Sequence, residues 1–251
     1  MKKSEQTDLK KIKKKILFFL KESADPARQI STQRFFPEPI SCYGVSLPRV
    51  RRFCRQLNQE IGQTLSEEAL IQLVKSLLEE KELECRMAGL FLLSCRVNQL
   101  GSDSLEYFEN WLRPGVLDNW ALLDTFSLEI ISPLLFRYPK MIEKIKSWGC
   151  SDNVYLKRAG LVALIKPVRK KLKVKFVLQL TLKAMNQPPA EDGLVAKAAG
   201  WLLREIGKVA PGELKNFLIK NGRSLPRVTV RYAVERFSQE EKDYFLKITK
   251  N

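Results

Sequence analysis

Trp120 and Asp124 are four residues apart, within the segment NWALLDT at 119–125. Residues with this spacing lie on one face of an α-helix, so a helix here presents an aromatic ring and a carboxylate together. Positions 120, 124, 127 and 131 form one stripe, and Leu123 and Phe126 belong to the neighbouring apolar one. Asp124 therefore lies at the border of the core. An acid in that place most often forms a structural ion pair, and the alternative is a site where an anion meets a cationic ligand.

The chain around this carboxylate is strongly basic. It has 44 Lys and Arg against 28 Asp and Glu, a formal net charge of +16. Such a balance favours nucleic acid, an anionic membrane or an acidic protein as partner, and a phosphate backbone is our first choice. The basic residues form several clusters along the chain, at 10–15, 49–52, 169–173 and 223–231.

The chain contains no histidine and five cysteines. The lack of histidine excludes Ser-His and Cys-His nucleophiles and zinc sites with histidine ligands. The cysteines are odd in number and show neither a CxxC pair nor metal-knuckle spacing, so we expect reduced core thiols, no metal and no cofactor. The apolar stretch at 16–20 is too short to span a membrane. We expect a cytoplasmic protein that is nucleoid-associated through DNA binding.

Helical periodicity runs through nearly every long segment, and Pro and Gly residues separate the segments. The sequence predicts an all-α fold with one domain over 1–251, in which 1–30 form a basic N-terminal helical segment. Three segments share a pattern of basic residue, any residue, Ala, Gly, and a fourth is weaker. The patterns begin at Arg86, Lys157, Lys197 and Arg231.

When the Trp120 helix fills the gap after the first pattern, the intervals between the helix starts are typical of two-helix HEAT-type repeats. The patterned helices are predicted to start near Glu82, Ser151, Asp192 and Pro226, with the Trp120 helix starting near Asp118. Small Ala and Gly allow neighbouring helices to pack closely, and the basic residue would recur on one edge of the stack. This predicts a right-handed or curved superhelical solenoid with a basic concave face. The alternative is that Ala-Gly reflects packing alone and the basic residues are merely solvated.

Three segments together resemble the DNA alkylation repair glycosylases of the AlkD type, a family of HEAT-like repeat proteins. They lie at 119–125, 151–159 and 197–205, and further similarity at 43–51 and around Arg231 extends the resemblance over most of the chain from about residue 30. The family's aromatic and acidic pair falls on Trp120 and Asp124. Its active-site arginine falls on Arg158 and its second tryptophan on Trp201.

The chain also departs from the family pattern. Ala121 stands where the family often has an acidic residue, and Tyr155 is the aromatic residue before the Arg motif. The N-terminal helical tyrosine of the family has no counterpart in the stretch TQRFF at 32–36.

The resemblance implies a base-excision-repair hydrolase that removes N3- or N7-alkylated purines from double-stranded DNA as a monomer. Alkylation makes the base cationic, so it leaves without a general acid, and Asp124 would stabilise the oxocarbenium-like sugar and position water. Trp120 and Trp201 would flank the sugar or face the cationic adduct. Arg158 would grip a phosphate near the lesion. The predicted DNA-binding residues are Arg86, Tyr155, Lys157, Lys197, Arg227 and Arg231.

Two other classes of function remain open. A non-catalytic HEAT-like protein could bind distorted or branched DNA by shape and charge. A helical scaffold for acidic proteins would explain the repeats and the charge, but it would leave the Trp120–Asp124 pair unexplained. Retention of the acid beside the tryptophan favours the enzyme.

Overall fold

The computed structural model describes residues 3–62 and 65–249, and side chains from Asp8 onward. Every regular element in these ranges is a helix, which confirms the all-α fold class. The helices form two compact units. The first comprises Met1–Gly101 with Gly115–Leu117, and the second Ser102–Pro114 with Asp118–Asn251. The single-domain organisation and the concave basic face stay predictions.

The first unit is built around a helix that is buried on nearly all sides. This helix, α5, packs against α3 and α4, and every residue from Leu83 to Leu93 is buried. Its Glu84 carboxylate accepts hydrogen bonds from the backbone N–H groups of Tyr43, Gly44 and Val45, at 2.8–2.9 Å. The helices are α1 (Lys3–Glu22), α2 (Pro26–Gln33), α3 (Leu47–Ile61), α4 (Glu67–Leu78) and α5 (Leu83–Cys95), followed by a 3₁₀ turn, Val97–Gln99.

The second unit contains all the residues predicted to do chemistry. Within it α10 packs against α7, α9 and α13, and α13 packs against α15. The helices are α6 (Ser104–Glu109), α7 (Trp120–Phe126), α8 (Ser132–Arg137), α9 (Ile142–Gly149), α10 (Val154–Ala163), α11 (Ile165–Arg169), α12 (Val174–Met185), α13 (Gly193–Val209), α14 (Pro211–Asn221), α15 (Arg227–Ala233) and α16 (Gln239–Ile248), with a π-helical segment, Ser127–Ile131, and 3₁₀ turns at Pro139–Met141 and Gly222–Ser224.

The predicted starts of the patterned helices are confirmed for α5, α13 and α15, which follow Glu82, Asp192 and Pro226 directly. The other two predicted starts are early. An asparagine caps each of these helices: the Asn153 carboxamide oxygen accepts two backbone N–H groups of α10, and that of Asn119 accepts two of α7. A side-chain acceptor at the N-cap satisfies donors that the first turn leaves unpaired, so each helix begins directly after its Asn.

The glycines of the repeated pattern allow close helix packing, as predicted. A Cβ atom at Gly160 would lie 2.6 Å from the backbone nitrogen of Gly149 on α9. A Cβ atom at Gly200 would lie 2.4 Å from the Cβ of Tyr232 on α15. Both separations are shorter than real Cβ contacts, so these two crossings require glycine.

A π-helical segment interrupts the helix that begins at Trp120. Pro133 in the first turn of α8 has no N–H to donate, and its ring would clash with the carbonyl four residues earlier in a regular α-helix. The wider π turn before it accommodates the proline. The stripe predicted over positions 120, 124, 127 and 131 therefore does not continue as a regular face, and both Ser127 and Ile131 are fully buried.

The five cysteines are free thiols, but they do not all lie in the core. Cys54 and Cys85 are buried, as predicted, whereas Cys42 and Cys150 are half-buried and Cys95 is exposed. In the part of the chain that the structure describes, no helix is both long enough and apolar enough to cross a membrane.

Candidate active site

Helix α7 places an aromatic ring and an acid one turn apart. Trp120 is the first residue of α7 and is 36% exposed. Asp124 follows on the same face, and 15% of its side chain is exposed. The helix predicted from the spacing is therefore present, with an accessible indole in its first turn and, one turn later, a carboxylate that is largely buried but partly exposed.

Arg158 of α10 holds this carboxylate with two parallel hydrogen bonds. Its Nε donates to Asp124 Oδ1 at 3.0 Å, and its Nη2 donates to Asp124 Oδ2 at 2.8 Å. The third nitrogen, Nη1, donates to the backbone carbonyl of Leu194 in the first turn of α13. Only 6% of the Arg158 side chain is exposed. The fork is therefore engaged inside the protein, where it positions Asp124, and the phosphate grip by Arg158 stays a prediction.

The protonation of Asp124 is set by opposing effects. Burial raises the pKa of its carboxyl above the ordinary 3.8, because the charged form loses solvation, and the charge and hydrogen bonds of Arg158 oppose that rise. The net shift is upward. Both oxygens accept donors from a guanidinium that does not lose its proton in proteins, a geometry that requires the ionised carboxylate.

Trp201 belongs to a second polar cluster, on α13. Its indole Nε1 donates to Glu205 Oε1 at 3.2 Å. Glu205 is 2% exposed and also accepts from Arg169 Nε at 2.9 Å and from Lys208 Nζ at 2.7 Å. Burial opposes ionisation of Glu205, but the hydrogen bonds and charges of Arg169 and Lys208 outweigh it and lower its pKa.

Sequence reasoning overlooked three members of this second cluster: Glu205, Arg169 and Lys208. Part of the signal was present, because Glu205 lies four residues after Trp201 and three before Lys208, spacings that bring side chains together on a helix. The contact with Arg169 joins two helices and spans 36 positions, so no short-range spacing in the sequence indicates it.

Two predicted DNA-binding residues are buried, and this structure does not favour the phosphate contacts predicted for them. Lys157 is 0% exposed, and its ammonium donates to the carbonyls of Ala184, Gln187 and Pro188 at 2.7–3.2 Å. All three of its N–H donors have an internal acceptor, and Lys157 therefore ties α10 to the C-terminal end of α12. Arg86 is likewise buried, in the first unit, where its guanidinium donates to the Val116 carbonyl.

The sequence pattern of the DNA alkylation repair enzyme family matches residues 17–237, most of the chain. The chain belongs to this family. A solved structure with the same fold, described as a predicted DNA alkylation repair enzyme from Enterococcus faecalis, superposes with a TM-score of 0.75 at 15% sequence identity, over 86% of this chain and 98% of that one. No curated protein matches the chain.

Membership in the DNA alkylation repair enzyme family confirms the resemblance that the sequence motifs carried. It assigns the chain to DNA alkylation repair, which makes DNA the substrate. The structure joins Asp124 and Arg158 directly, places Trp120 one turn from Asp124, and gives Trp201 a different polar partner.

The remaining predicted DNA-binding residues of this family member lie at its surface or close to it. Lys197 and Arg231 are exposed, on the packed helices α13 and α15. Arg227 is exposed too, and its guanidinium donates to the Leu246 carbonyl. Tyr155, in the first turn of α10, is half-buried. Lys197 precedes Trp201 by four residues, so the two share a face of α13.

Proposed function

We propose that this protein is a DNA glycosylase that hydrolyses the N-glycosidic bond of purines alkylated at N3 or N7. The observation that carries the proposal is the Asp124 carboxylate, which Arg158 orients from inside the protein and which lies one helical turn after the exposed Trp120. Family membership supports repair of alkylated DNA. The glycosidic step and its residues are our proposal.

The chemistry requires little more than a fixed anion. An N3- or N7-alkylated purine carries a positive charge, so the bond to the sugar is weakened and the base departs without protonation. The sugar then develops oxocarbenium character. An ionised Asp124 stabilises that charge and orients the attacking water, the role that a carboxylate has in glycoside hydrolysis.

Pairing with Arg158 leaves the Asp124 carboxylate with unused hydrogen-bond acceptor sites. Two ionised oxygens offer about four lone-pair sites, and the two hydrogen bonds from Arg158 occupy only two of them. The partly exposed side of Asp124 remains available to a water molecule or to the sugar. Arg158 also restricts rotation of the carboxylate, which reduces the reorganisation needed when the sugar becomes cationic.

Trp120 supplies the surface beside the anion. An indole attracts a cation placed over its face by about 0.5 to 2 kcal/mol. Since Trp120 is the first residue of α7 and 36% exposed, its ring can meet the alkylated nucleotide while Asp124 acts one turn further along.

The experiment that tests the proposal is release of 7-methylguanine and 3-methyladenine from methylated duplex DNA. Wild type is compared with Asp124→Asn and with Asp243→Asn, an equal change at an exposed position on α16. We expect release by the wild type and by Asp243→Asn, and strongly reduced release by Asp124→Asn.

Folding and binding controls separate the outcomes. Thermal unfolding and DNA affinity are measured for each variant, because Asp124→Asn also leaves Arg158 without its counter-charge inside the protein. Duplex binding without release by the wild type supports the non-catalytic DNA-binding alternative. Full release by a folded Asp124→Asn variant removes Asp124 from the mechanism.

A further inference from the structure

Glu205 links Trp201 to a basic turn that lies outside the proposed site. One oxygen of its carboxylate accepts from the Trp201 indole, and the other accepts from Arg169, the last residue of α11. Because both donors share one carboxylate, the indole and the Arg169 guanidinium are neighbours. The turn that leaves α11 therefore begins beside Trp201.

This basic turn, residues 169–173, has the sequence RKKLK and all five residues are exposed. Four of the five are cationic, so the turn concentrates positive charge at the surface. The backbone holds it in place: the N–H of Lys171 donates to the Val168 carbonyl at 2.7 Å, and that of Leu172 donates to the Pro167 carbonyl at 3.0 Å. The charges are thus presented by a hydrogen-bonded turn.

Two of the lysines have a backbone conformation that side chains disfavour. The φ angle is 57° at Lys171 and 54° at Lys173, in the left-handed region that glycine and asparagine adopt most readily. A glycine at either position would have less conformational strain but no charge. Lysines at both positions indicate that charge at this surface has a use that offsets the strain.

We propose that the basic turn binds backbone phosphates of the DNA strand next to Trp201. The inference rests on the proposed function and adds to it a named surface for the substrate. A phosphodiester backbone fits this turn because it offers repeated anions to several exposed cations at once, and because the turn adjoins a residue expected to contact DNA.

The test is the affinity for an undamaged DNA duplex as a function of salt. The double variant Lys171→Gly, Lys173→Gly is compared with wild type and with Lys220→Ala, Lys247→Ala, which removes two exposed charges from α14 and α16. We expect the slope of log affinity against log salt to flatten by about 0.9 for each phosphate that is no longer neutralised, and by about 2 for the double variant. The control should keep the wild-type slope.

Fold stability gives an independent readout. Glycine relieves the left-handed conformations, so the double variant should melt no lower than the wild type while it binds DNA more weakly. A parallel variant with asparagine at both positions, which also tolerates this conformation, should behave in the same way. An unchanged salt slope in both folded variants, or an equal change in the control, overturns the proposal.

The outcome is distinguishable from failure of the glycosylase proposal, because duplex binding does not require base release. If the wild type binds the duplex but releases no base, and the double variant flattens the salt slope, the basic turn is supported and the enzyme is rejected. If the wild type releases bases and the double variant keeps the wild-type slope, the enzyme is supported and the basic turn is rejected. No duplex binding by the wild type overturns both, and equally strong competition by polyglutamate at matched charge overturns the assignment to nucleic acid.

Discussion

Asp124 and Lys157 are both withdrawn from solvent, but their surroundings give them different roles. Asp124 keeps one side open and receives two hydrogen bonds from a single arginine, so it retains acceptor capacity for a substrate or water. Lys157 has no exposed surface and three carbonyl acceptors. The first arrangement suits chemistry, and the second suits the stability of a helix end.

At acidic pH, the rate of base release should follow the ionisation of Asp124. Its pKa is raised by burial, and in the proposed mechanism the ionised form stabilises the sugar cation. Release of alkylated bases should therefore decline on acidification at a pH above 3.8, the ordinary pKa of an aspartate. Single-turnover release measured from pH 8 to pH 4, corrected for spontaneous loss, checks this. A rate that is constant across the range contradicts an essential ionised Asp124.

Two lysines in the same place of the repeated pattern should respond differently to the same substitution. Lys157→Met leaves carbonyls at the end of α12 without their donor, and it should lower the free energy of unfolding by about 1 to 3 kcal/mol. Lys197→Met changes an exposed side chain and should alter stability by less than about 0.5 kcal/mol while it weakens DNA binding. Denaturant unfolding and duplex affinity of both variants give the comparison, and equal losses of stability would contradict it.

At the scale of the elements, α10 is the helix that assembles the site. Its Arg158 reaches back to α7 and forward to the first turn of α13, and its Gly160 packs against α9. The close crossing at Gly160 and the Asn153 cap determine where the helix lies and where it starts. A small shift of α10 would therefore move Arg158 away from Asp124.

Gly160→Ala should show this dependence. The added Cβ would lie 2.6 Å from the backbone of α9, a contact that only movement of the helix can relieve. We expect a loss of about 1 to 3 kcal/mol in unfolding free energy, together with reduced base release. Gly193→Ala is the matched control, because nothing lies within 4 Å of its Cβ position. A Gly160→Ala protein as stable as that control would show that the crossing tolerates a side chain.

For the whole molecule, the net charge of +16 favours electrostatic association with the phosphate backbone of DNA. Phosphate contacts contribute affinity that falls steeply with salt and does not depend on base sequence. Lys197 and Arg231 are exposed on packed helices, and they stay predicted DNA contacts.

Neutralising those two residues should weaken binding without changing selectivity. Lys197→Ala and Arg231→Ala should each flatten the salt dependence of affinity by about 0.9 and reduce binding to damaged and undamaged duplex alike. Titrations at several salt concentrations measure the slope, with Lys220→Ala as the control. A wild-type slope in either variant would remove that residue from the DNA surface.

The amino-acid sequence by itself determined the helical class and the placement of Trp120 and Asp124 on one face of a helix. Each of these depends on residues a few positions apart, where helical periodicity decides which side chains are neighbours. Only the tertiary structure decided that Arg158 grips Asp124, 34 positions away, and that Glu205 joins Arg169 to Trp201. The pattern residues Lys157 and Lys197 also look alike in sequence, yet one is buried because the end of α12 covers it, a contact between segments that no local spacing encodes.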